Sequence, residues 1–437
     1  MILIHNARLV NRGKTTAGWL AIDGEFISAS GKGTPPCLEA DSVIDAQGAL
    51  VMPGAIDAHV HFRDPGLTRK GDIATESRVA IAGGVTSFMD MPNTIPPTVT
   101  IADWQAKMDR AETASAANYA FWIGATDSNL SELLAADYSR VPGVKLFLGS
   151  STGNMLVDND KALDALFSNV KATIAVHAED NARIAAHTEI ARDTFGDEPV
   201  PADMHPVIRD SRACLDAASR AIGLARRHNA RLHLLHVSTA AEAKLLSAPD
   251  RPEGVTAETC IQYLQWCDKD YETMGMRLKC NPAVKASTDR SALRKAVKDG
   301  TIDTIGTDHA PHLLEEKMAG DGLSAPSGCP NLQFSLPMLL DLFKPETVVA
   351  RTAHAPAEIF GIDRRGYLDP GYYADIVIVA PEPHLISDSD SLGPCGWIPA
   401  AGITTGHSVM TVFVNGSVAY DYGNFHSTPV HPLHFIK

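Results

Sequence analysis

Two histidines, His59 and His61, stand two residues apart at the end of an apolar run in GAIDAHVHFRDPG. On a strand that spacing puts both imidazoles on one face. Paired neutral rings suit a divalent metal better than a packed core. Arg63 follows two residues later; its planar fork suits a negatively charged ligand held beside the metal. Groups of the same kind end other apolar runs: Lys145 in GVKLFLG, His177 in AVHAEDN, His236 in LLHVST and Asp308 in GTDHAPH. Four histidines and an aspartate exceed the three protein ligands that one catalytic zinc uses. They suit two ions about 3.5–4 Å apart, sharing a hydroxide and a bridging carboxylate. Lys145 has the strand parity of Phe147, opposite Val144, Leu146 and Leu148, and so faces the same interior. An inward ammonium would be repelled by two dications. Carbamylation by CO2 turns it into a carboxylate able to bridge them.

Such far-separated groups need a scaffold that brings strand ends together. From about residue 50 the chain alternates short β-type runs with amphipathic stretches. The predicted strands are 54–61, 85–91, 118–124, 143–149, 173–179, 231–238, 254–260 and 301–308. Helical patterns lie between them, at 101–117, 211–228 and 287–300 among others. In the last, Ser287 reads as the N-cap and Gly300 as the stop. Eight β-then-α units predict a parallel (β/α)8 TIM-like barrel, whose catalytic groups gather at the C-terminal ends of the strands; a doubly wound open sheet is the alternative. Residues 1–50 and 365–437 read instead as short strands and turns, with an Asn-Gly hairpin signal at 415–416. The expected organisation is a barrel over residues 51–364 beside a small β-sandwich module built from both termini.

Composition narrows the function classes. The 437-residue chain is 45% hydrophobic and 21% charged, enough for a large core, and its formal net charge of −14 argues against nucleic acid or an anionic membrane as partner. No run of 18 apolar residues appears, and the first residues alternate like a strand rather than a secretory leader. Seven scattered cysteines, with no Cys-x-x-Cys pair, read as reduced thiols and predict a cytoplasmic protein.

The runs PGAIDAHVHFRDPGLTRKGDIATESRVAIAGGVTSFMDMPNTIPP, VKLFLGSSTG, AVHAED, LLHVST, KCNPAVK, GTDHAPH and PSGCPNLQFSLP, together with ADIVIV near the C-terminus, closely resemble the dihydroorotase family of the amidohydrolase superfamily. The resemblance covers essentially the whole chain. It implies reversible cyclisation of N-carbamoyl-L-aspartate to L-dihydroorotate, in de novo pyrimidine biosynthesis, at a centre of two Zn2+ ions bridged by carbamylated Lys145 and a hydroxide. Carried over by position, His59, His61 and Asp308 correspond to ligands of the more buried ion, and His177 and His236 to ligands of the other. Asp308 corresponds to the catalytic base and acid. Arg63, Asn93 and His312 correspond to a clamp for the substrate's free carboxylate, and Asn281 and the loop Pro326–Gly328 to contacts with the ring amides. Among partners the family includes homodimers and chains associated with aspartate transcarbamoylase.

Allantoinases and dihydropyrimidinases share the His-x-His pair and the binuclear site. Their substrates lack the ring carboxylate, and they do not place arginine at the position of Arg63. Non-catalytic homologues that scaffold aspartate transcarbamoylase lose members of the His/Asp set, and this chain has all of them. Some relatives bridge the ions with an aspartate in the loop after strand four; here that loop, GSSTGNML, carries no acid before Asp158. His309 and His233 read as structural histidines facing away from the ligand set, Asp64 and Asp72 as loop-ordering groups, and Cys329 as no nucleophile. The segment 313–328 reads equally as a mobile cover or a long barrel loop.

Overall fold

The computed structural model describes residues 1–36, 39–149, 155–157 and 159–436. Cys37, Asp158 and most of the loop after strand four lie outside the described residues. Eight parallel strands form the centre. In chain order they are Ala55–Val60, Val85–Asp90, Asn118–Phe121 continued by Ile123–Gly124, Gly143–Phe147, Thr173–His177, Leu232–Leu234, Val255–Cys260 and Thr304–Gly306. Neighbours pair in register, as in Val144 with Ile174, Ile174 with Leu232, Leu232 with Val255, and Glu258 with Thr304. A parallel bridge from Val60 to His309, and the bond from His61 N to His309 O at 2.7 Å, join the first strand to the end of the eighth. The sheet therefore closes into a barrel, and the open doubly wound alternative is excluded.

Strand parity separates two apolar layers. Val144, Leu146, Ile174, Val176, Leu232 and Leu234 point outward into the core shared with the helices. Ile56, Ala58, Met89, Ala120, Trp122 and Ala175 point inward. In the first strand, three steps from Asp57 to Val60 oppose two from Phe88 to Asp90. This is a β-bulge, and it reverses the strand's parity. Ile56 and Ala58 face inward below it, while His59 and His61 face inward above it.

The helices follow the apolar pattern of the sequence. Ser211–His228 buries Ala213, Cys214, Ala217, Ala218, Ala221, Ile222 and Ala225 along one face; the Asp210 side chain caps its start and Asn229, at φ 50°, ends it. Helix Ser287–Asp299 stops at Gly300, φ 89°, as expected. Its N-cap, however, is Ala286, because extended backbone gives way to helix one residue early and leaves Ser287 inside the first turn. None of the helices among the described residues is long and apolar enough to cross a membrane.

Both chain ends contribute to one nine-stranded sheet. Leu50–Pro53 pairs parallel with Ile2–Asn11 and antiparallel with Ile376–Ala380, and Ser408–Val414 returns to Ser417–Asp421 through Asn415 and Gly416, both at positive φ. Ile4, Leu20, Ile27, Val51, Ile376 and Phe413 form its core. The chain's last residues then run beneath the barrel. Leu433 and Phe435 pack with Trp122 and Phe360, and backbone bonds tie Leu433 to Tyr119 and Ile436 to Gly361. That packing stops the N-terminal end of the barrel.

Candidate active site

The C-terminal strand ends bring the ligand candidates together. His59 Nε2 and His61 Nε2 lie 3.2 and 3.1 Å from Asp308 Oδ1. His177 Nδ1 lies 2.9 Å from His236 Nε2, and the His59 and His236 rings are 5.4 Å apart between centroids. Arg63, His236 and Asp308 have φ of 66°, 41° and 48°. A left-handed non-glycine residue costs about 1–3 kcal/mol and tends to mark a functional site. Three of them lie at this mouth.

Proton accounting tests whether the residues fit a metal. His59 Nδ1 is 2.7 Å from Glu258 Oε1, and His61 Nδ1 is 2.7 Å from Asn93 Oδ1. Both oxygens accept, so each Nδ1 carries the hydrogen and each Nε2 presents a lone pair. In neutral rings two lone pairs and a carboxylate oxygen would converge here, an arrangement that suits a cation. His177 Nε2 lies 3.2 Å from Glu179 Oε2 without making a hydrogen bond, and its Nδ1 faces His236 Nε2. Burial drives His61 down to about 4 and lowers His177 and His236 below the ordinary histidine range. The rings are thus in the neutral form that ligates. The donor set fits divalent ions.

Lys145 is buried and inward, in register with Ala175, its Nζ 4.6 Å from the centroid of the Phe147 ring. Burial lowers it to about 7, against the opposing pull of Asp308 and Glu258. Much of it is then a neutral amine at neutral pH, the form that reacts with CO2.

Arg63 is buried beside this cluster, and burial lowers it to about 10. Its Nε donates to Pro311 O at 3.0 Å and its Nη2 lies 3.1 Å from His312 Nε2. Among the described residues no carboxylate pairs with it. His312 reaches Ser327 O at 3.2 Å, and Gly328 N donates to Lys279 O at 2.9 Å, so the Pro326–Gly328 loop lies against both the arginine and the KCN segment. Asn93 reaches this mouth through His61, whereas Asn281 Oδ1 meets His205 Nε2 at 3.1 Å and touches none of the ligand set.

His309 hydrogen-bonds Glu76 and the backbone of Leu332, and His233 bonds Thr256 and packs on Phe360. Segment 313–328 is pinned rather than loose: it contains helix Leu314–Ala319, whose buried Lys317 donates to the carbonyls of Lys279 (2.7 Å), Pro326 (3.0 Å) and Gly328 (3.0 Å). Sequence reading missed three supporting acids. Asp57 accepts from His59 N and from Thr307, tying the first strand to the eighth. Glu179 pairs with Arg209, whose charge holds it at about 2 although burial pushes it up. Glu258 is the third. Each is an acid within or just beyond an apolar strand run, and that is the signal that could have found them.

The amidohydrolase family pattern matches residues 50–419. A dihydroorotase of Halobacterium salinarum is 34% identical over 413 residues, 92% of this chain and 93% of that one. An allantoinase of Bacillus velezensis is 31% identical over 434 residues, 97% of this chain and 94% of that one. The solved L-hydantoinase (dihydropyrimidinase) of Arthrobacter aurescens superposes with a TM-score of 0.91 at 27% identity over 97% of both chains.

Proposed function

The chain belongs to the amidohydrolase family, and from that membership we propose that it is a dihydroorotase, a metal-dependent cyclic amidase closing N-carbamoyl-L-aspartate to L-dihydroorotate and reopening it. The observation that carries the choice of substrate is Arg63, a buried guanidinium beside the ligand cluster with no carboxylate partner among the described residues. A buried charge left unpaired is costly, and a ligand carboxylate relieves it. Dihydroorotate carries such a group on its ring; allantoin, hydantoins and dihydrouracil do not.

His59, His61 and Asp308 would hold one zinc ion and His177 and His236 the other, and Lys145, once carbamylated, would supply a further carboxylate. A bound pair of divalent ions supplies an acidified water and polarises the ring carbonyl. Asp308 would accept a proton from the attacking water and return it to the departing ring nitrogen, so that one carboxylate serves as base and then acid. In ring closure the same proton moves the other way. Arg63 binds the free carboxylate, with Asn93 and His312 beside it, while Asn281 and the Pro326–Gly328 loop contact the ring amides.

The test is a parallel assay of zinc-reconstituted protein on dihydroorotate, allantoin and dihydrouracil. Turnover of dihydroorotate at least a hundredfold above the other two is expected. Preferential hydrolysis of either uncharged ring would overturn the reading.

A further inference from the structure

Glu258 stands on the seventh barrel strand, and its carboxylate is fully buried. Among the described residues no lysine or arginine pairs with it. Its Oε2 has no hydrogen-bond partner and is backed by Gly306, where a Cβ would come within 2.6 Å of that oxygen. An isolated buried carboxylate is expensive unless its charge is used. Oε1 shows the use. It accepts from His59 Nδ1 at 2.7 Å and lies 3.3 Å from the main-chain N–H of His236, so one oxygen reaches a ligand of each half of the proposed metal pair.

We infer that Glu258 is a positioning residue for both half-sites. It fixes the His59 tautomer with Nε2 aimed toward Asp308. It also holds the left-handed backbone of His236, φ 41°, from which the ring meets His177 Nδ1. Its negative charge is offset by the cations it helps to orient, through the imidazole of His59. Gly306 leaves room for the carboxylate at the barrel wall. This inference rests on the metal-centre reading above.

The experiment compares wild type, Glu258→Gln and Glu258→Ala. It measures zinc by elemental analysis, zinc affinity by chelator competition, the visible spectrum of the Co2+-substituted protein, and kcat and KM for dihydroorotate; circular dichroism confirms folding. Loss of an outer carboxylate on a metal-bound histidine weakens affinity by about 10- to 100-fold. That loss is expected for Glu258→Ala, with a shifted Co2+ spectrum and kcat reduced far more than KM changes. Glu258→Gln keeps an acceptor but loses the charge, and is expected to lie between, several-fold weaker than wild type. Wild-type affinity and spectrum in Glu258→Ala would overturn the inference. Should that variant not fold, the same outcome in Glu258→Gln overturns it. Wild-type protein that takes up no zinc or cobalt would instead sink the metal-centre reading.

Discussion

At the scale of single residues, two side chains separate the proposed chemistry from a merely stable barrel. Arg63→Ala removes the guanidinium that meets His312 Nε2 at 3.1 Å. A hydrogen bond to a charged group contributes about 1.5–3 kcal/mol, so KM for dihydroorotate should rise at least tenfold. Metal content should be unchanged. A near-normal KM rejects the clamp. Lys145→Ala should lose both metal and activity, and short carboxylic acids should restore part of the activity by standing in for the missing carboxylate. Zinc retention without rescue rejects the bridge. His59, His61 and Lys145 were legible because strand parity alone shows which side chains share a face. The partners of His59 were not legible: Glu258 lies 199 residues away, and the sheet register that brings them together is a property of the closed barrel.

At the scale of elements, the eight strands were legible within a few residues, since apolar runs bounded by turn residues mark them directly. Two features escaped. The bulge between Asp57 and Val60 depends on how the first strand registers with the second, which no single segment encodes. The helix within 313–328 escaped because its anchor is one lysine reaching three distant carbonyls rather than an apolar stripe. Removing that anchor by Lys317→Met frees Lys279, Pro326 and Gly328 together. The expected result is a several-fold higher KM with zinc content unchanged, read by steady-state kinetics and metal analysis. Unchanged KM would mean that the loop keeps its shape without the tie.

At the scale of the molecule, buried titratable groups set the acid response of the metal-free protein. Seven histidines, His61, His177, His205, His233, His236, His312 and His354, are held below their ordinary value, burial being the largest cause in each. Asp57, raised to about 6, and Glu242, raised to about 7, act in the opposite sense. A histidine depressed on folding takes up its proton first in the unfolded chain, so stability present above pH 6.5 is lost as pH falls. For His61 the drop from 6.5 to about 4 corresponds to about 3 kcal/mol. With histidines outnumbering the raised acids, the melting temperature of chelator-treated protein should fall steadily from pH 7 to pH 4.5. A flat or rising profile contradicts that balance. The tail packed under Trp122 has a consequence of another kind. A vessel stoppered at its base fills and empties at its rim, so in the proposed reaction the open-chain acid and the ring would share the mouth where the ligand set lies. Each then blocks the other's passage, and simple competitive inhibition by product is expected whichever way the reaction runs.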